Sequence, residues 1–143
     1  MDYLQAFSIS ASGMAVEKLR LDLTAVNIAN MHSNAAPDGT LFRPLRVLSR
    51  PGAASFAAQF QRAPLLRGVQ VLGVEELDAA PRMVYEPGNP AADEKGYVAL
   101  PGVNHVAEMV TLVTALRAYE ANLVAMNAAK MMATKALELG GSS

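Results

Sequence analysis

The side chains that could carry chemistry are few and scattered. His32 and His105 are the only histidines. Imidazole suits proton transfer or metal ligation near neutral pH. Each of these, however, stands beside a predicted helix end, where solvation or capping is the ordinary role, and neither belongs to a His/carboxylate spacing such as HExxH. Glu75-Glu76 and Asp93-Glu94 are adjacent carboxylate pairs. Paired carboxylates do general acid/base work only when they converge on one point. Neighbours on a strand point to opposite faces, so Glu75 and Glu76 would not share a site. Asp93-Glu94-Lys95 follows a turn and reads as solvated surface. There is no cysteine, which excludes disulfides, thiolate metal sites and a cysteine nucleophile. GxGxxG, GxxxxGK[ST] and GxSxG are all absent. The sequence therefore offers no catalytic residue, no cofactor site and no metal ligand set, and a non-enzyme is expected.

What the chain does offer is helix. Asn104 to Leu139 contains no proline or glycine, few β-branched residues and many good helix formers. At full helical rise it would span roughly 54 Å. Val106, Met109, Val113, Leu116, Glu120, Leu123, Asn127, Lys130, Thr134 and Leu137 recur at alternating steps of three and four, the a/d spacing of a coiled-coil seam. Leu112, Tyr119 and Met126 widen that stripe. Ala121, Ala125, Ala128, Ala129 and Ala133 make the far face small and flat. The pattern alone fits either a core helix of a small helical domain or an assembly element.

Residues 1 to about 30 read as the first helix, with Asp2 as N-cap and Gln5 three residues on. Leu4, Phe7, Ala11, Met14, Lys18, Leu21, Ala25 and Ile28 keep the same rhythm. Ile9, Val16, Leu19, Leu23 and Val26 form a second line nearly opposite. Polarity is confined to a strip around Glu17, Arg20, Thr24 and Asn27. Two apolar faces on one helix imply neighbours from other chains. Gly13 costs about 1 kcal/mol in mid-helix, and close helix approach would be a reason to keep it.

The middle is different in kind. Ser33 to Thr40 is a turn and loop. Leu41 to Ser49 and Gly68 to Leu77 have strand character, with shorter candidates at Met83 to Tyr85 and Tyr97 to Leu100. Arg50 to Arg67 reads as a long loop, with a short helix possible over Ala53 to Phe60. Glu86-Pro87-Gly88-Asn89-Pro90 is a strong turn, and Asn104 can cap the second helix. The expected fold is mainly α: long antiparallel N- and C-terminal helices forming a coiled-coil-like pair, with a small β-rich insertion projecting from one end. In domain terms, 1–34 and 104–143 form the helical core and 35–103 the insertion, with a long loop near 50–67.

Composition sets the remaining limits. The chain has 143 residues and a net charge of −1, which fits one domain and gives no electrostatic case for nucleic acid or an anionic membrane. Apolar residues make up 52% but aromatics only 6%, without tryptophan, so close helix packing is favoured over a bulky core. No apolar run reaches the roughly 18 residues of a membrane span. The N-terminus has no signal-peptide core, so leaving the cytoplasm would need another route.

Ile9-Ser10-Ala11-Ser12-Gly13-Met14, Leu19-Arg20-Leu21-Asp22 and Asn27-Ile28-Ala29-Asn30 resemble the N-terminal signature of bacterial flagellar axial proteins. The run from Val84 through Pro87-Gly88-Asn89-Pro90 to Asp93 narrows this. So do Gly96-Tyr97-Val98, Pro101-Gly102-Val103-Asn104 and Arg117-Ala118-Tyr119-Glu120-Ala121-Asn122. Together they resemble the proximal rod subunits of that family. Two departures stand out: Val26 replaces one of the paired asparagines that often precede Ile-Ala-Asn, and Leu41-Phe42-Arg43 stands where the family usually resembles Thr-x-x-Tyr-x-Arg.

The resemblance implies a structural subunit that packs its terminal helices into a tubular drive shaft whose lumen is an export channel. It implies passage through the flagellar type III apparatus without a cleaved signal peptide, a place in the rod crossing the periplasm, and other rod subunits and the rod-base adaptor protein as neighbours. Another axial protein, or a soluble helical-hairpin adaptor or chaperone, is the alternative. Read with the two-faced helices, it places the subunit interface on Ile9, Ser12, Gly13, Met14, Leu19, Leu23, Asn27, Ile28 and Asn30. From the second helix it adds Met109, Leu112, Leu116, Tyr119, Asn122, Leu123, Met126 and Asn127.

Overall fold

The computed structural model of the chain describes residues 3–36, 38–52 and 67–140. Helix α1 spans Tyr3–Asn30, strands β1 Leu45–Pro51, β2 Val69–Glu76, β3 Arg82–Tyr85 and β4 Tyr97–Leu100 follow, and helix α2 spans His105–Gly140. The fold is thus two helices with two small antiparallel sheets, β1 with β2 and β3 with β4. The Asp2 cap and the short helix over 53–60 lie outside the described residues.

Two contacts give the helices their direction and register. Asn27 on α1 hydrogen-bonds Glu108 on α2 at 3.2 Å. A Cβ on Gly13 would fall 2.8 Å from the Asn122 side chain. Fourteen residues forward on α1 match fourteen backward on α2, so the helices pack antiparallel. Gly13 is where they approach closely, the reason expected for a glycine there. The same register brings Tyr3 level with Met132, so Ala133 to Gly140 continue past the start of α1. Leu4 is therefore opposite Met131, and both are largely exposed.

The faces of both helices are turned from the expected orientation. On α2 the sheltered positions are Glu108, Leu112, Ala115, Tyr119, Asn122, Met126, Ala129 and Ala133. They repeat at steps of four and three, one residue before the seam read from the sequence. One residue is about 100° of helix, so the expected seam of Val106, Met109, Val113, Leu116 and Leu123 faces outward and is exposed. The alanines Ala115 and Ala129, not the bulky residues, are fully buried. On α1 the polar strip turns inward: Thr24 and Asn27 are buried, Glu17 and Arg20 are half-buried, and Ser10 lies on the same side. Small and hydroxyl-bearing side chains let the axes come close, whereas a Leu or Met layer would hold them apart.

The strands begin and end close to expectation. β1 starts at Leu45 because Pro44 has no N–H to offer a ladder. Leu41 to Pro44 stays outside the sheet, although the Pro44 carbonyl accepts from the Leu77 amide at 2.7 Å. Leu48 pairs with Gly73 and Ser49 with Val71, leaving Leu72 as a bulge. The hairpin does not project from one end of the helices. It lies along α1, fastened near both ends of the strands.

β3 and β4 are joined by the Pro-rich turn, whose organiser is Asp93. Its Oδ1 accepts from the amides of Lys95 and Tyr97 at 2.9 and 2.8 Å. This solvated carboxylate is therefore also a structural one. Gly96 has φ +81°, and a Cβ there would meet the Tyr85 ring and Pro87; glycine is required on both counts. Tyr85 pairs with Tyr97 across the strands, with rings edge to face at 5.3 Å. Val98, Leu100, Pro101 and Val103 are the densest apolar cluster. It lies just before α2, which Asn104 caps by accepting from the Ala107 amide at 3.1 Å.

Candidate subunit interface

His32 and His105 are exposed, one just past the end of α1 and the other at the start of α2. Glu75 pairs with Arg46 across the sheet at 2.8 Å, while Glu76 is exposed on the other face. Among the described residues no three His, Asp or Glu side chains gather as a metal site would need, and no helix is long and apolar enough to cross a membrane. The displaced carboxyl is Asp38, held below the ordinary carboxylate value by hydrogen bonds from the Thr40 hydroxyl and amide. That is turn chemistry.

The notable geometry is in helix faces and in the polar contacts that hold them. Asn27 is 1% exposed, and both its amide hydrogens and its oxygen are hydrogen-bonded. Nδ2 donates to the Leu45 carbonyl at 2.9 Å and to Glu108 Oε2 at 3.2 Å, and Oδ1 accepts from the Leu45 amide at 2.8 Å. One side chain thereby joins α1, the start of β1 and α2. Ser12 does the same work nearer the other end. Its hydroxyl donates to the Ile9 carbonyl at 2.7 Å and accepts from the Val69 amide at 3.0 Å.

The interface residues expected from sequence divide into three groups. Ser12, Gly13, Asn27, Leu112, Tyr119, Asn122 and Met126 are partly or wholly sheltered and lie on the sides where parts of the same chain meet. Asn122 also donates to the Ala118 carbonyl at 2.8 Å. Ile9, Met14, Leu19, Leu23 and Ile28 are half-buried along α1, and Asn30, donating to Val26, is at its end. Met109, Leu116, Leu123 and Asn127 are exposed on the outer side of α2.

That outer side holds more than the sequence reading assigned to it. Val106 is 70% exposed, Val110 61%, Val113 44% and Val124 67%. From Val106 to Leu116 the only charged residue, Glu108, points inward. The result is an uncharged apolar strip on the protein surface. Val106 and Val113 were visible as periodic apolar positions; which side they occupy was not. Leu45, which completes the Asn27 cluster, gave no signal, because its contribution is a backbone N–H and C=O.

These features define a class when set beside known proteins. Residues 94–139, covering β4, the capped turn and nearly all of α2, match the family described as flagellar basal body rod FlgEFG protein C-terminal. That match sets this part of the chain among the flagellar axial proteins. Three relatives narrow it further. The flagellar basal-body rod protein FlgC of Escherichia coli O6:H1 is 41% identical, over 98% of this chain and 99% of its own. The FlgC proteins of Bacillus subtilis and Borreliella burgdorferi are 34% and 32% identical, the first over 98% of this chain and 99% of its own, the second over 97% and 98%. The chain belongs to the FlgC family of flagellar basal-body rod proteins.

Proposed function

We propose that this rod subunit assembles with other rod proteins through the outward face of α2 and the apolar flanks of α1, as one segment of the proximal rod and its export channel. The observation that carries the reading is the uncharged strip from Val106 to Leu116. Contiguous apolar surface is unfavourable on a free protein and marks a contact to be made. In this reading α1 and α2 act as one coiled-coil-like unit of a helical core domain, 1–34 with 104–143, and 35–103 is the insertion carried on it. Met109, Leu116, Leu123 and Asn127 then meet neighbouring subunits directly. Ser12, Gly13, Asn27 and Asn122 fix the shape in which the contact faces are presented. The rod-base adaptor protein and the type III export apparatus are the further partners, and export proceeds without a cleaved signal peptide to the rod in the periplasm.

The test is replacement in the native bacterium. Cells lacking this chain should yield no complete basal bodies, and the unaltered chain should restore them. Val113→Glu sets a charge in the outer strip away from α1. It should leave the helical content of the purified chain intact yet abolish rod incorporation. Normal basal bodies containing Val113→Glu would overturn the reading. Rods completed without the chain would favour a soluble adaptor.

A further inference from the structure

The β1–β2 hairpin covers one flank of α1, yet neither strand contains a buried residue. Its hydrogen bonds to α1 sit near its two ends, and half-buried Leu45 and Val47 line a cleft with Leu23. Asn27 takes both backbone groups of Leu45, at the start of β1. Ser12 takes the amide of Val69, at the start of β2. Pro51 pairs with Val69 and Leu45 with Glu76, so the two fastenings lie at opposite ends of the ladder. Ser12 and Asn27 are fifteen residues apart, roughly 22 Å along a helix. Six strand steps from Leu45 to Pro51 cover roughly 20 Å. The lengths match, and the hairpin is stretched along α1 between two fixed points.

We propose that the hairpin is a releasable cover, pinned over α1 by Asn27 and Ser12, whose opening uncovers Ile9 and Leu23 as an apolar line while α1 and α2 stay paired. The difference between the two attachments is physical. Hydrogen bonds to backbone can be exchanged for water at small net cost, about 1 kcal/mol each, whereas an interdigitated apolar face cannot. Ile9 lies beneath Gly68, where an added Cβ would come 3.4 Å from its Cα. Leu23 lines a cleft of about 300 Å³ with Leu45, Val47 and Leu77. Both are half-buried in place and lose that shelter when the strands lift. The helix pair has its own contacts at Gly13 against Asn122 and along Ala115 and Ala129, none of which the hairpin supplies. The inference concerns the free chain and does not depend on what it assembles with.

Gly68 is the place to test it. A Cβ there would overlap the Ser12 side chain, so Gly68→Ala breaks the Ser12 pin without touching Asn27 or α2. Hydrogen exchange of the purified full-length chain should show the amides of Leu45 to Arg50 and Val69 to Glu76 exchanging about tenfold faster, the scale of one lost fastening. The amides of α2 should be unchanged, and binding of an apolar fluorescent dye should rise. Ser12→Ala, which removes the acceptor without the overlap, should move the same amides in the same direction by less. Unchanged hairpin exchange in both variants would overturn the proposal. So would hairpin and α2 accelerating together, or loss of helical signal in either variant, since each would make the hairpin an integral part of one cooperative unit.

Discussion

At the scale of single residues, Asn27 decides most. It is a buried amide whose three hydrogen bonds reach two other elements. Asn27→Ala strands the Leu45 amide and carbonyl, and should lower unfolding stability by about 2–3 kcal/mol, read as a lower urea midpoint. Asn27→Asp keeps the shape and the acceptor for the Leu45 amide. It replaces the donor to the Leu45 carbonyl and Glu108 with a second negative charge. That variant should be at least as destabilised as the alanine at neutral pH. Its deficit should shrink on acidification, because protonation restores a donor; a deficit independent of pH would contradict the hydrogen-bond assignment. Asp38 behaves oppositely. Its carboxylate is favoured in the folded turn by Thr40, so its contribution is present above the ordinary Asp value and is lost as pH falls through its lowered one. The Thr40 amide shift should follow that titration, and Thr40→Val should move the Asp38 pKa back upward.

At the scale of elements, the sequence reveals what lies next to what along the chain far better than what faces what across it. Both helices, four strands, the Asn104 cap and the Pro87 to Pro90 turn were legible because caps, prolines and glycines act locally. The inward side of each helix was not. α1 and α2 carry apolar residues on more than one side, so periodicity fixes the repeat but not its phase. Bulky apolar residues point to one inner face, while the structure puts Ala115, Ala129, Thr24 and Asn27 inside. Interface candidates Met109, Leu116 and Leu123 were legible as apolar positions. Asn27's bonds to Leu45 were not, since they depend on a backbone eighteen residues away.

Gly13 and Asn122 provide a sharp test of the helix pairing. Gly13→Ala gains up to about 1 kcal/mol of helix propensity, but its Cβ needs the space of the Asn122 amide. The substitution should therefore lower the thermal midpoint in the native background and raise it alongside Asn122→Ala. Additive effects of the two changes would mean that the helices do not meet there.

At the scale of the molecule, stability and assembly draw on different surfaces. Among the described residues, half of the buried apolar ones, Val98, Leu100 and Val103, lie in β4 and the turn leading to α2. The most deeply buried side chains of the helix pair are Val16 and small or polar ones, while Val106, Val110 and Val124 remain outside. A long helix without much apolar burial has little to hold it beyond its own marginal propensity. In the free chain, exchange should therefore be slowest over Tyr97 to Val103, intermediate where α1 and α2 overlap, and fastest in Ala133 to Gly140, which extend beyond Tyr3. Incorporation into a rod should reverse that order along α2, since its outer strip and its extension would then be covered by neighbours. The experiment is hydrogen exchange on the dilute chain and on isolated basal bodies. Strong, equal protection along both helices in the dilute chain would mean that the pair is complete alone. The exposed strip from Val106 to Leu116 would then have no energetic need of a neighbour.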